Sequence, residues 1–152
     1  MSRSHVSEAL RQQVIQRASG FCEYCGAPMR IGSDLFCMEH TVPEANGGTT
    51  SLENLALACS ACNLYKGVTQ FALDPITNQA VSLFDPRRQS WSTHFIWSTD
   101  TLRVVGITPT GRATVERLRM NREQMIEFRR LLREFGMHPP HELPFPLANA
   151  SA

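Results

Sequence analysis

Apolar and polar positions alternate regularly in several stretches of the chain, and each stretch predicts an element. Across residues 7–19, Leu10, Val14, Ile15 and Ala18 recur at helical spacing, with Ser7 placed to cap the first turn and Gly20 to stop the last. Residues 35–42, of low polarity apart from Glu39, His40 and Thr41 and ended by Pro43, read as a strand. The polar stretch 44–51, with Asn46-Gly47-Gly48-Thr49-Thr50 at its centre, is too long for a two-residue hairpin turn and reads as a flexible loop. Residues 52–58 then set Leu52, Asn54, Ala56 and Ala58 against Glu53, Leu55 and Leu57, the alternation of a second short strand. A helix over 59–66, stopped by Gly67, completes a strand, loop, strand and helix.

Downstream the pattern loosens. Residues 74–78 read as a turn and 85–88 as an irregular segment. Two β-branched runs, 95–98 and 102–107, predict a hairpin carrying Trp97, and Thr110 is placed to cap a short helix through Met120. The last helix has the fullest set of signals: Asn121 as N-cap, Gln124 as its capping-box partner, Met120 and Met125 as a staple, and Gly136 as the stop. Its expected core stripe is Met125, Phe128, Leu131, Leu132 and Phe135. Residues 1–137 therefore read as one domain, with a core over about 11–67 and an extension over about 71–137, followed by a proline-rich, loosely held tail over 138–152.

Composition narrows the class. A chain of 152 residues holds one modest core, no apolar run approaches the roughly 20 residues of a membrane span, and the N-terminus lacks the apolar segment of a signal peptide. The expected location is the cytoplasm, with no membrane partner. Five cysteines, four of them in the pairs Cys22/Cys25 and Cys59/Cys62, fit a tetrahedral zinc site in a reducing compartment better than disulfides. Four sulfur ligands leave no position for water, so this zinc is structural. Cys37, between Phe36 and Met38, reads as a buried inert thiol. The net charge of +1 argues neither for nor against a nucleic acid, but fourteen of the fifteen basic residues are arginine, whose planar fork suits phosphate, and Lys66 is the only lysine.

The segments CEYC and MEHTVPEANGGTTSLENLALACSACNLYKG resemble the HNH endonuclease family in its zinc-bearing, standalone bacterial form, over roughly residues 11–67. The resemblance implies an α+β protein with a ββα-metal (HNH, or His-Me finger) core around the four-cysteine zinc, extended here by a C-terminal hairpin and helices. It also implies cleavage of DNA, with Mg2+ or Mn2+ at the catalytic centre and no small-molecule cofactor.

Phosphodiester cleavage requires a base to activate water and a cation to neutralise the phosphoryl oxygens. His40 is the natural base, because imidazole titrates near neutrality. Glu39 and Asn63 are hard oxygen donors suited to Mg2+ or Mn2+, and the resemblance makes them the ligands of the catalytic ion, with Asn63 in a position where many members carry histidine. Asn54, the family's middle asparagine, is expected to fix the glycine-rich loop and the orientation of His40. Lys66 shares a helix face with Asn63 and is expected to meet the phosphate backbone or the leaving group, as against a mere helix-end charge. Arg112, Arg117, Arg119, Arg122, Arg129, Arg130 and Arg133 are candidates for DNA contact, interleaved with Glu116, Glu123, Glu127 and Glu134, which offer ion pairs instead. Trp91, His94 and Trp97 either stack on bases or anchor the hairpin. The alternative to an endonuclease is a zinc-stabilised nucleic-acid-binding module without cleavage activity.

Overall fold

The computed structural model describes residues 5–141. Helix α1 (Glu8–Arg17) begins where the pattern placed it, with the Ser7 hydroxyl accepting from the Leu10 amide at 3.2 Å. Its Val14 and Ala18 are fully buried, and Leu10 and Ile15 pack beside them. After the cysteine-bearing turn at residues 22–25, strand β1 (Phe36–His40) pairs antiparallel with β2 (Leu55–Cys59) in a register that sets Glu39 opposite Ala56 and His40 opposite Leu55. Helix α2 (Ser60–Lys66) follows β2 without a loop, and Gly67 ends it.

The second strand is shorter than its alternation predicts, and every residue in it is buried. Both α1 and α2 pack against β2, and a strand covered along its whole length needs no polar side chains. Leu52, Glu53 and Asn54 form a turn ahead of it instead.

The extension begins with a hairpin absent from the sequence reading, β3 (Phe71–Leu73) with β4 (Ala80–Ser82) around the expected turn. A one-turn helix α3 (Trp91–His94) runs directly into β5 (Phe95–Trp97), which pairs with β6 (Val104–Gly106) as predicted. Helix α4 (Pro109–Arg117) is capped by Thr108 rather than Thr110, through its hydroxyl and the Gly111 amide, with Pro109 at the first helical position.

Helix α5 (Glu123–Glu134) departs further from expectation. Asn121 does not cap it: its side chain exchanges two hydrogen bonds of 2.8 Å with the backbone of Val104, so a tertiary partner outcompetes the local one. Of the expected stripe, Met125 and Leu132 are buried and Phe128 packs against the core, whereas Leu131 and Phe135 are exposed. Gly136 stops the helix with φ of 71°. Residues of the segment expected to be loose are packed as far as they are described: His138 and Pro140 are buried, and the remainder of the expected tail lies outside the described residues.

The two halves share one core. Trp91 donates its indole N–H to the Tyr24 carbonyl at 2.9 Å, and Tyr24, Phe84, Phe95, Trp91 and Trp97 meet in edge-on and tilted contacts with ring centroids 5.1–6.2 Å apart. Trp91 and Trp97 are therefore anchors and not stacking platforms. Gly26, beside the Trp97 ring, has a φ of 78°, a backbone conformation that favours glycine.

Candidate active site and zinc centre

The four paired cysteines converge. Their sulfur atoms all lie within 4.8 Å of one another, all four residues are buried, and Cys25 Sγ is 3.7 Å from Cys59 Sγ. A tetrahedral ion with metal–sulfur bonds of about 2.3 Å has edges of about 3.8 Å, so the cage matches zinc. Two backbone amides, those of Cys25 and Cys62, point at Cys22 Sγ and Cys59 Sγ at 3.5 Å. The second contact is also the N-cap of α2, so the helix start and the sulfur's hydrogen bond are one device. Burial pushes the Cys22 thiol up, neighbouring thiols push Cys62 up, and hydrogen bonds from the other three pull Cys25 down. Four crowded sulfurs cannot all ionise by themselves, and a dication in their midst removes that obstacle. Cys37, by contrast, is half-exposed on β1 instead of buried.

Adjacent residues of β1 serve different surroundings. Glu39 points inward, where Oε2 accepts from the Tyr24 hydroxyl at 2.6 Å and Oε1 from the Lys66 ammonium at 2.7 Å. Burial pushes the Glu39 carboxyl above its ordinary value, and the Lys66 charge followed by its hydrogen bond pulls it back. Lys66 is only 2% exposed and also approaches the Thr41 carbonyl at 3.5 Å, so its nearest partner is Glu39 and its charge faces inward from the helix end. Asn63, three residues before Lys66, is part-exposed on the same helix. A carboxylate oxygen and an amide oxygen are suitable donors for a hard cation, and Glu39 already holds one cation in the form of Lys66.

His40 occupies the other face of β1, with its side chain 18% exposed. Its Nε2 lies 2.9 Å from the Thr50 hydroxyl, Thr50 donates to Glu44 Oε1 at 3.0 Å, and Nε2 is 3.6 Å from that same carboxylate oxygen. Thr50 and Glu44 had no place in the sequence reading. Their signal was position alone, on either side of the two glycines that bend the loop back toward His40.

Asn54 holds that loop. Its amide donates to the carbonyls of Val42 at 2.9 Å and Thr49 at 2.8 Å, and its oxygen accepts from the Val42 amide at 3.0 Å and the Thr41 hydroxyl at 2.9 Å. Gly48 passes so close that a β-carbon there would lie 1.7 Å from the Val42 carbonyl oxygen. Arg17 secures the same turn from α1 by donating to the carbonyls of Leu52, at 2.6 Å, and Leu55. Glu23 accepts from the Leu57 amide at 2.8 Å and pairs with Arg87, tying the cysteine turn to β2 and to the extension.

The arginines offered as DNA contacts are engaged within the protein. Arg129 is buried and donates to the carbonyls of Leu102 and Met120 and to Asn121, and Arg112 makes a two-pronged pair with Asp74. Arg117 reaches Thr69, Arg133 the Asp100 carbonyl, Arg122 the Arg119 carbonyl and Arg130 Glu127, while Arg119 lies 4.8 Å from the centre of the Tyr65 ring. Near-neighbour glutamates account for only one of these contacts.

Residues 22–69 match the family described as HNH endonuclease. The chain is also similar to a CRISPR-associated endonuclease Cas9 of Corynebacterium diphtheriae, at 34% identity over 109 residues, which is 70% of this chain. It spans about 10% of the length of that relative. Among the described residues, no helix is long and apolar enough to cross a membrane.

Proposed function

We propose, from the premise that residues 22–69 are a segment of the HNH endonuclease family, that the chain hydrolyses DNA phosphodiester bonds with His40 as general base. The observation that carries this reading is the hydrogen-bonded chain from His40 through Thr50 to Glu44. Thr50 has one hydroxyl hydrogen, and it goes to Glu44. Its oxygen therefore accepts from His40 Nε2–H, and this assigns the tautomer. Nδ1 is left with the lone pair and is the atom that takes the proton from water. The Glu44 carboxylate then steadies the imidazolium formed, as a carboxylate does behind other catalytic histidines.

The remaining residues prepare the site for the phosphate. Asn54 fixes the loop carrying Thr50 and thereby the imidazole, so its role is positioning. A divalent ion, Mg2+ or Mn2+, held by Glu39 and Asn63 supplies neutralisation of the phosphoryl oxygens when bound. Lys66 pairs with the Glu39 carboxylate, and Tyr24 keeps that carboxylate aimed toward α2. Cys22, Cys25, Cys59 and Cys62 would hold the zinc with all four ligand positions filled, away from the reaction, and so fix α2 against the cysteine-bearing turn.

The test is nicking of supercoiled plasmid by the zinc-loaded chain with Mg2+ or Mn2+. His40→Ala should cut about 10²- to 10⁴-fold more slowly, with unchanged zinc content and melting temperature. Equal rates for the variant and the parent would remove His40 from the chemistry. DNA binding without cutting in any divalent ion would leave a nucleic-acid-binding module.

A further inference from the structure

Beside the Glu39–Lys66 pair lies a cavity of about 230 Å³ that the reading above leaves unused. Its lining includes Thr41, Lys66 and Gln70, together with Phe71 of β3 and Asp85, Arg88 and Gln89 after β4. Pockets for drug-sized molecules run from roughly 300 to 1,000 Å³, so this one suits a smaller body, on the scale of a single heteroaromatic ring system.

The character of its wall narrows the ligand. The charges are largely balanced: Lys66 pairs with Glu39, and Arg88 pairs with Asp85 at 2.8 Å. A free anion gains little from such a wall, whereas a neutral ring with hydrogen-bonding edges is well matched. Both glutamine carbonyl oxygens are already occupied, Gln70 Oε1 by the Asn46 amide at 2.7 Å and Gln89 Oε1 by the Asp85 backbone amide at 2.9 Å. These contacts orient both side chains and leave the Nε2 groups as donors in a lining that also includes Lys66. Donors in this number complement an edge rich in acceptors, such as O6 and N7 of guanine or O2 and N3 of cytosine.

Phe71 supplies the remaining surface. It is 63% exposed on β3, in a hairpin whose two strands pack against α4. An exposed aromatic ring beside a cavity of this size is a platform for stacking.

We propose that this cavity takes one unpaired nucleobase of the DNA strand being cut, stacked on Phe71 and held by Gln70, Gln89 and Lys66. The choice of DNA as the source of the base rests on the endonuclease reading. The position next to Glu39 and Thr41 places that base beside the scissile phosphate. Paired bases present their edges inside a stack and do not enter such a cavity, so the site favours single-stranded or locally opened DNA.

The test separates this proposal from the reading it rests on. Zinc-loaded full-length chain carrying His40→Ala, so that no cutting intervenes, is titrated against a labelled single-stranded 12-mer and a blunt duplex of the same sequence by fluorescence anisotropy. Adding Phe71→Ala should weaken single-strand binding about tenfold and leave duplex binding within about twofold. The exposed position of Phe71 keeps this change out of the core. Adding Gln70→Ala with Gln89→Ala should lower the preference for a 12-mer with one guanine among thymines over an all-thymine 12-mer. Unchanged single-strand affinity in the Phe71→Ala variant overturns the proposal, and so does an equal loss on single strand and duplex, which marks groove contact. If the parent chain with His40 cuts plasmid while Phe71→Ala has no effect on binding, only the base site has failed. If it cuts nothing in any divalent ion while the Phe71 effect holds, only the endonuclease reading has failed.

Discussion

Glu39 and Arg129 are both buried charged side chains, but they belong to halves of the molecule built in different ways. Around Glu39 the chain is held by sulfur and polar devices: a four-sulfur cage joining segments more than 30 residues apart, a capped helix and an asparagine whose four hydrogen bonds all stay within thirteen residues. Around Arg129 it is held by packed rings and arginine pairs: an aromatic cluster running from Tyr24 to Trp97, the Asp74–Arg112 pair, and an arginine reaching back to Leu102. The first half presents part-exposed polar groups beside a cavity, whereas the second closes over its own polar groups. Chemistry is therefore expected around Glu39 and the cavity that β3 and the segment after β4 complete, and support around Arg129.

The sharpest way to break this comparison is to remove a sulfur. Cys59 is at once ligand, strand end and helix cap, so Cys59→Ser should abolish both zinc retention and the cooperative fold, since binding of a structural zinc is worth on the order of 10 kcal/mol. Metal content by mass spectrometry and a melting curve followed by circular dichroism check this. A variant that melts like the parent, with or without zinc, would show that the cage is incidental.

Next in size is Arg129→Met, which tests whether the second half supports the first. The guanidinium lines the same small pocket as Cys25, lies 5.4 Å from the Trp97 ring centre, and carries a positive charge near sulfurs that bear two negative charges net once zinc is bound. Burial pulls its pKa down, and the neighbouring cysteines pull it back up. Its Nε is buried without a hydrogen-bond partner among the described residues, although three other contacts fix the group in place. Methionine preserves much of the volume but strands the Leu102 and Met120 carbonyls. The expected loss is on the order of 3 kcal/mol, with faster transfer of zinc to a colorimetric chelator. A loss of stability with unchanged zinc transfer would separate the two halves energetically.

The same contrast explains what could be read from the sequence. Cys22, Cys25, Cys59 and Cys62 announce themselves because zinc geometry dictates their spacing, and α1, α2 and the 95–106 hairpin follow from local pattern and caps. Asn121 was misread because its side chain satisfies the local capping rule equally well, and only the tertiary fold brings Val104 to it. Lys66 read as an outward charge, since nothing local shows that Glu39, 27 residues earlier, lies within 2.7 Å. The arginines were illegible for a related reason. Charge next to charge along a helix suggests neighbouring pairs, yet Arg112 and Arg133 find partners more than 30 residues away. Thr50 and Glu44, which lie within hydrogen-bond reach of His40 and of each other, are ordinary loop residues until the loop is folded.

The smallest expected effect concerns where the second half ends, and pH reveals it. His138 packs edge-on against Trp97 with centroids 4.7 Å apart and its Nε2–H donates to the Thr101 carbonyl at 2.6 Å. Burial depresses its pKa from the ordinary 6.5 to about 4, although the hydrogen bond to Thr101 opposes the shift. Between these values the unfolded chain binds more protons at this residue than the folded chain. The contribution of neutral His138 is therefore full above about pH 6.5 and is lost progressively as pH falls toward 4. Zinc release also destabilises the protein in acid, so the useful quantity is a difference. A His138→Phe variant keeps an aromatic ring against Trp97 and lacks the titration, and the gap in melting temperature between parent and variant should shift in the variant's favour from pH 7 to pH 5. A gap independent of pH would mean that the histidine charges without leaving its place, and that residues beyond α5 are not fastened to the hairpin by a neutral ring.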